Sequence, residues 1–248
     1  MVWTPDDLGA ATGEFPSLAV IGPTCLSGAL SICGAMQGGD LLLNPTETQL
    51  ADPEIQATFL VDSFQVEIGS TDGGPYLKVL GTRLPETAER YGLELIDLHV
   101  YRDQSVCFAA PQKIAGEWAS GITVACYIWR YVLPFLYEQA FFDRHGRWPW
   151  GELAHGALGL VEWLGRERNP TNGDVMRTIL FLRSSSEEAR ALIQTRARRH
   201  HMCPCGSKKR LRDCHPDLKP GIDIIRSWLA QGNSSRLRKL LLKTEGRE

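Results

Sequence analysis

Apolar and polar residues alternate from Phe59 to Ile68, with Leu60, Phe64, Val66 and Ile68 on one side and Asp62 as the single polar member of that side. A period of two is the mark of a half-buried strand. The alternation over residues 26–34 and the run Tyr76 to Leu80 predict two further strands, and Gly69 to Pro75 predicts the turn between the last two. Residues 1–16 read as loop with at most a short helix, and residues 37–56, rich in Gly, Asp, Asn and Pro, as mostly loop. Residues 84–92 read as a polar connection starting at Pro85, and Leu93 to Val100 as a short apolar stretch. Together these runs predict an antiparallel meander. The period changes at residue 116. Trp118, Ile122, Ala125, Trp129, Val132, Leu136 and Ala140 recur every three or four residues, which predicts one long amphipathic helix, kinked or split at Pro134. A second helix is expected over 151–164, with Leu153, Leu158, Val161 and Leu164 inward, then a linker from Arg166 to Gly173. Ser185 and Glu188 stand in capping-box positions for a helix running to about Arg198. Ile222, Ile225, Trp228 and Leu229 predict another helix opening near Pro220, and Leu237 to Leu242 a last one. The predicted class is α+β: a meander first, helices behind it, then a small module at the end.

Composition leaves this picture intact: 248 residues, 43% hydrophobic and 23% charged, describe a globular chain and exclude low complexity. Charge changes it more. Residues 1–100 carry 3 Lys and Arg against 14 Asp and Glu, a net of −11, while residues 101–248 carry 24 against 15, a net of +9. A basic tail of this kind either meets a partner or is simply solvated. Residues 18–36 are uncharged, but Gly22, Pro23, Ser27, Gly28, Ser31 and Gly34 interrupt them too often for a lipid-facing helix, so no membrane association is expected. The first residues, Met1 to Asp7, are acidic where a secretory signal is basic, so no such signal is expected.

Candidate chemistry is densest at residues 203–215, where three of the seven cysteines and one of the six histidines fall within thirteen positions. Cys203 and Cys205 can chelate from one tight turn, with Gly206 relaxing the backbone, and Cys214 and His215 return a turn or two later. Four soft or borderline ligands are what a structural zinc ion takes. A disulfide between two of these cysteines in a basic tail is the competing reading. The spacing, Cys-x-Cys, eight residues from Gly206 to Asp213, then Cys-His, resembles the SEC-C motif, and Gly206-Ser207 and Lys208-Lys209-Arg210 are similar to that family as well. The resemblance implies zinc held by Cys203, Cys205, Cys214 and His215. A thiolate site without a targeting signal implies a reducing, cytoplasmic setting, in which Cys25, Cys33, Cys107 and Cys126 are free thiols.

Residues 97–111 read Asp-Leu-His-Val-Tyr-Arg-Asp-Gln-Ser-Val-Cys-Phe-Ala-Ala-Pro, following the predicted meander and preceding the long helix. This resembles the active-site segment of ubiquitin-conjugating enzymes, and more closely that of their bacterial relatives in antiphage-defence operons. The upstream order from Gly39-Asp40 to the Pro85 turn is similar, as is Trp148 to Gly156; the resemblance spans about residues 16–165. It implies a ubiquitin-conjugating-enzyme-like catalytic domain over 1–168, a linker and connecting helix over 169–198, and a zinc module with C-terminal helices over 199–248. It implies further that Cys107 takes a ubiquitin-like C-terminus from an activating enzyme as a thioester and passes it to an amine of a protein target, while His99 holds the loop. Read alone, Cys107 is a small buried hydrophobe, which is what a free Cys usually is. Where the family has Asn after its His, this chain has Val100-Tyr101; either the Tyr101 hydroxyl substitutes, another group does, or the protein only carries the tail. Arg102 and Lys113 could aid the thiol electrostatically. His155, between Ala154 and Gly156, is a candidate base or a structural histidine, and Glu152 and Asp103 are weaker candidates for orienting an amine. Arg196, Arg198, Arg199, His200 and His201 before the knuckle and Lys208, Lys209, Arg210 and Arg212 within it could bind nucleic acid. No aromatic residue interleaves them for base stacking, which favours a protein partner. The competing reading of the whole chain is a catalytically silent adaptor whose zinc module binds protein or RNA.

Overall fold

The computed structural model describes residues 2–107, 117–151, 156–167, 169–184, 198–205 and 207–233, and they fall into two compact units that divide between Gly151 and Glu152. The first unit runs α1 (Pro5–Glu14), β1 (Leu18–Gly22), β2 (Cys25–Gln37), β3 (Asp40–Leu43), α2 (Pro53–Thr58), β4 (Leu60–Thr71), β5 (Gly74–Val79), α3 (Arg83–Tyr91), a 3-10 turn (Leu95–Leu98), α4 (Val124–Tyr127), a π turn (Ile128–Val132) and α5 (Leu133–His145). The strands form one antiparallel sheet of order β1-β2-β4-β5, with β3 also paired to β2. The expected α+β class and meander therefore hold at this level.

The period of two in β4 places its residues as expected. Leu60, Phe64, Val66 and Ile68 are buried, and in register they meet Leu30 on β2 and Leu77 and Val79 on β5. This face packs against α1, α4, the π turn and α5, whose Leu8, Tyr127, Ile128 and Leu136 belong to the same core. Burying a Leu- or Phe-sized side chain stabilises by roughly 1.5–3 kcal/mol, so this cluster is the main source of the unit's stability. Asp62, the polar member of the stripe, is clamped by Arg83 of α3 at 2.6 and 2.7 Å, and Arg83 reaches Asp143 of α5 at 3.2 Å.

Three expectations change. Residues 1–16 contain a full helix because Thr4 and Asp7 form a reciprocal capping box and Pro5 is preset for the first turn. The stretch expected as a polar connection is α3: Leu84, Thr87 and Ala88 are buried on one side, and Gly92, at φ 66°, ends it. Pro85 is tolerated because a first-turn amide has no partner inside the helix. The single long helix over 116–140 is broken twice. Gly121, at φ 83°, separates Trp118 from α4, which Thr123 caps, and the π turn lies just ahead of Pro134, which has no amide to donate.

The second unit contains α6 (Gly156–Arg166), α7 (Asn172–Ser184), α8 (Leu211–Cys214) and α9 (Leu218–Trp228). Val161 and Leu164 of α6 are buried with Val175, Ile179 and Leu182 of α7, Ile222, Ile225 and Trp228 of α9, and Cys203, Leu211 and Leu218. The two compact units divide at 151/152, ahead of the boundary expected at 168, because the apolar side of α6 joins this core. α7 was not expected at all. Thr171 and Asp174 cap it reciprocally, and Val175, Ile179 and Leu182 give it a buried stripe. Two glycines let α6 and α9 meet backbone to backbone: a Cβ at Gly165 would lie 2.0 Å from the Asp217 carbonyl oxygen, and one at Gly221 would lie 1.9 Å from that of Val161. The helices expected over 185–198 and 237–242 lie outside the described residues, as does the inward Leu153. No described helix is long and apolar enough to cross a membrane.

Candidate functional site

Two sites carry the chemistry, one in each unit. In the first, the chain after the 3-10 turn reaches His99, whose backbone is left-handed at φ 58°, and then folds back on itself. The Tyr101 amide donates to the Ser105 carbonyl at 2.8 Å and the Gln104 amide to the Tyr101 carbonyl at 3.0 Å, which closes a tight turn. The returning arm lies along β5: the Val106 amide donates to the Leu77 carbonyl at 3.0 Å, and the Val79 amide to the Gln104 carbonyl at 3.3 Å. The Cys107 amide then donates to the His99 carbonyl at 2.8 Å. His99 and Cys107, eight positions apart in sequence, are thereby fixed across one small hairpin on the sheet edge.

Cys107 is half-buried. The phenol of Tyr101 is 45% exposed. Its interaction with the Cys107 thiol, then burial and the nearby Asp103 carboxylate, push the Tyr101 phenol up to about 12, so it stays protonated at neutral pH. Behind the hairpin, the buried Gln139 amide donates to the Leu98 carbonyl at 3.0 Å, and the His99 ring lies 5.5 Å from that of Trp148. His99 is therefore held in the wall of the hairpin. Asp103 is turned inward on its own loop, bonding Ser105 at 2.6 Å. Lys113, Glu152 and His155 lie outside the described residues.

The other thiols of this unit differ. Cys25, on the outer face of β2, accepts from the Tyr76 hydroxyl at 3.6 Å, and burial pushes its thiol up. Cys126 is exposed in the first turn of α4. None of the seven cysteines is in a disulfide.

The second site is the knuckle. The Cys203 amide donates to the Lys209 carbonyl and the Leu211 amide to the His201 carbonyl, each at 2.8 Å, and these bonds close a hairpin on which Lys208 takes a left-handed φ of 57°. α8 then swings Cys214 and His215 back toward Cys203 and Cys205. The four candidate ligand atoms all lie within 4.8 Å of one another. His215 Nδ1 is 3.2 Å from Cys203 Sγ and 3.3 Å from Cys214 Sγ, and the Cys205 and Cys214 sulfurs are 3.5 Å apart. Zinc–sulfur bonds of about 2.3 Å put the sulfurs of a tetrahedron about 3.8 Å apart, so the cluster is already near the size of a metal's ligand shell. Burial pushes the Cys203 thiol up. Burial acts the same way on Cys205, yet bonds from the Ser207 side chain and amide outweigh it and leave that thiol lowered. Ser207 Oγ also lies 3.0 Å from Cys214 Sγ. This donor set, three thiols and one imidazole with a hydroxyl on the sulfurs, can hold a metal ion and is compatible with zinc.

Sequence spacing found both groups, but two participants escaped it. Tyr101 stood out only as a departure from a pattern, and nothing in the sequence ties its hydroxyl to Cys107. Glu162 was not singled out; its Oε2 lies 3.9 Å from His215 Nε2. The chain matches no protein-family model, no curated protein and no solved structure.

Proposed function

We propose that the chain is a bacterial ubiquitin-like-protein conjugating enzyme, serving antiphage defence, with Cys107 as the thioester-forming nucleophile and a structural zinc ion held by Cys203, Cys205, Cys214 and His215. The observation that carries the reading is the hairpin that sets Cys107 against His99, with Tyr101 on its turn. An antiparallel meander ahead of that hairpin and helices after it are the order the resemblance implies.

The reaction follows from these atoms. The Cys107 thiolate attacks the carbonyl carbon of the thioester joining a ubiquitin-like C-terminus to the activating enzyme. The carbon–sulfur bond to that enzyme breaks and its thiolate leaves. In the second step an amine of the protein target attacks the Cys107 thioester, the Cys107 thiolate leaves, and the amine gives up its proton. Negative charge gathers on the carbonyl oxygen in both steps, and a fixed donor there is worth several powers of ten. Tyr101 is the donor within reach of the sulfur, taking the place of the family's Asn.

The test mixes the full chain with ATP, a cognate activating enzyme and its ubiquitin-like protein, followed on a non-reducing gel. The expected result is an adduct that thiol removes and Cys107→Ala abolishes. An adduct that persists in Cys107→Ala refutes the assignment.

A second reading, a silent adaptor, is favoured by the exposed Arg198, Arg199, Lys208, Lys209, Arg210 and Arg212 around the knuckle. It expects binding of the ubiquitin-like protein without an adduct, and RNA binding that weakens steeply with salt if RNA is the partner.

A further inference from the structure

We infer that Glu162 is the positioning residue of the metal centre: it accepts the Nε2 proton of His215 and so commits the Nδ1 atom of that ring to the metal. The inference rests on the four-ligand reading of the knuckle and is independent of any thioester at Cys107.

Three observations converge. First, the ring's two nitrogens face different groups. Nδ1 lies 3.2 and 3.3 Å from two of the three sulfurs, whereas Nε2 lies 3.9 Å from Glu162 Oε2. Second, Glu162 is fully buried, at 0% exposure, and a carboxylate withdrawn from water is costly unless charged or donating groups surround it. Third, its other oxygen is occupied: Oε1 accepts from Arg166 Nη2 at 3.2 Å, and Arg166 Nε donates to Asp217 Oδ2 at 3.0 Å. Arg166 thus ties the carboxylate of α6 to Asp217, two residues beyond His215. The backbone contact permitted by Gly165 and Gly221 holds α6 at this distance from the knuckle.

The chemistry gives the pair its purpose. An imidazole that gives Nδ1 to a metal stays neutral and keeps its proton on Nε2, where it needs an acceptor. A carboxylate acceptor fixes the tautomer, fixes the ring plane and makes the ligating nitrogen more basic. The present 3.9 Å separation is longer than a hydrogen bond, and metal binding closes it.

The experiment measures zinc affinity of the full chain by chelator competition and records the cobalt(II) spectrum of the same proteins. Glu162→Gln is expected to weaken zinc binding about 10–100-fold while the tetrahedral thiolate bands of cobalt persist. In a His215→Cys background, which removes the ring, Glu162→Gln is expected to change affinity little. Equal losses in the two backgrounds, or no loss in either, overturn the inference. The wild-type chain tests it without a variant: in the zinc-loaded protein, nitrogen-15 spectra should show His215 ligated through Nδ1, with an Nε2 proton slow to exchange. Ligation through Nε2 or a freely exchanging proton also overturns it. If the wild type binds no zinc, the four-ligand reading and this inference fall together, whereas zinc binding indifferent to Glu162 removes this inference alone.

Discussion

Single residues decide the chemistry here through their immediate partners. Tyr101 sits on the turn of the hairpin that ends at Cys107, and its phenol, pushed up to about 12, is protonated at neutral pH. Under the proposed reaction, Tyr101→Phe should still form the adduct but discharge it to an amine about 10²-fold more slowly, read in a single-turnover gel. Undiminished discharge would remove Tyr101 as the donor. Glu138 on α5 gives a test of stability in the same unit. Burial alone pushes its carboxyl up to about 7. A raised carboxyl favours the folded state when protonated, so its contribution is present below the ordinary value of 4.5 and is lost as pH rises through about 7. Glu138→Gln should therefore leave stability nearly unchanged at about pH 4 and raise it by about 1–3 kcal/mol at about pH 8, measured by urea unfolding. A gain of equal size at both values would contradict the assigned ionisation.

At the scale of elements, the same local rules succeed or fail according to what each helix or strand packs against. The two-residue period of β4 needed no tertiary help, because one face of a sheet is either buried or not. Nothing in the periodicity of 116–140 marks the break at Gly121, since Trp118 and Ile122 pack into the same core on either side of it. The capping pairs Thr4 with Asp7 and Thr171 with Asp174 were legible and were passed over, since Asp stands where the usual signature has Glu. The crossing of α6 and α9 yields a sharp prediction. Ala is intrinsically the better helix former by about 1 kcal/mol, yet Gly221→Ala should destabilise the second unit by about 1–3 kcal/mol, because its Cβ has no room beside the Val161 carbonyl. Hydrogen exchange of peptides from α6 and α9 would report it as lost protection. Unchanged protection would mean that the helices can separate without cost.

At the scale of the whole molecule, two cores carry opposite charge. Residues 1–151 hold 8 Lys and Arg against 18 Asp and Glu, a net of −10, and residues 152–248 hold 19 against 11, a net of +8. Each unit buries its own apolar cluster, and the candidate metal ligands Cys203 and Cys214 are part of the second. Chelation of the metal should therefore strip exchange protection from residues 198–215 and from α9, while the sheet of the first unit keeps its protection. Simultaneous loss in both units would show that the metal stabilises the entire chain. The sequence by itself determined the α+β class, the strands β2, β4 and β5 and the Cys/His set of the knuckle, because these depend on spacing over a few residues. Tertiary structure alone decided that α6 packs with the C-terminal helices, that Tyr101 and Cys107 share one hairpin and that Glu162 stands behind His215. Those pairings depend on where distant segments are brought together by buried faces and by two glycines without a Cβ, and no local period encodes that distance.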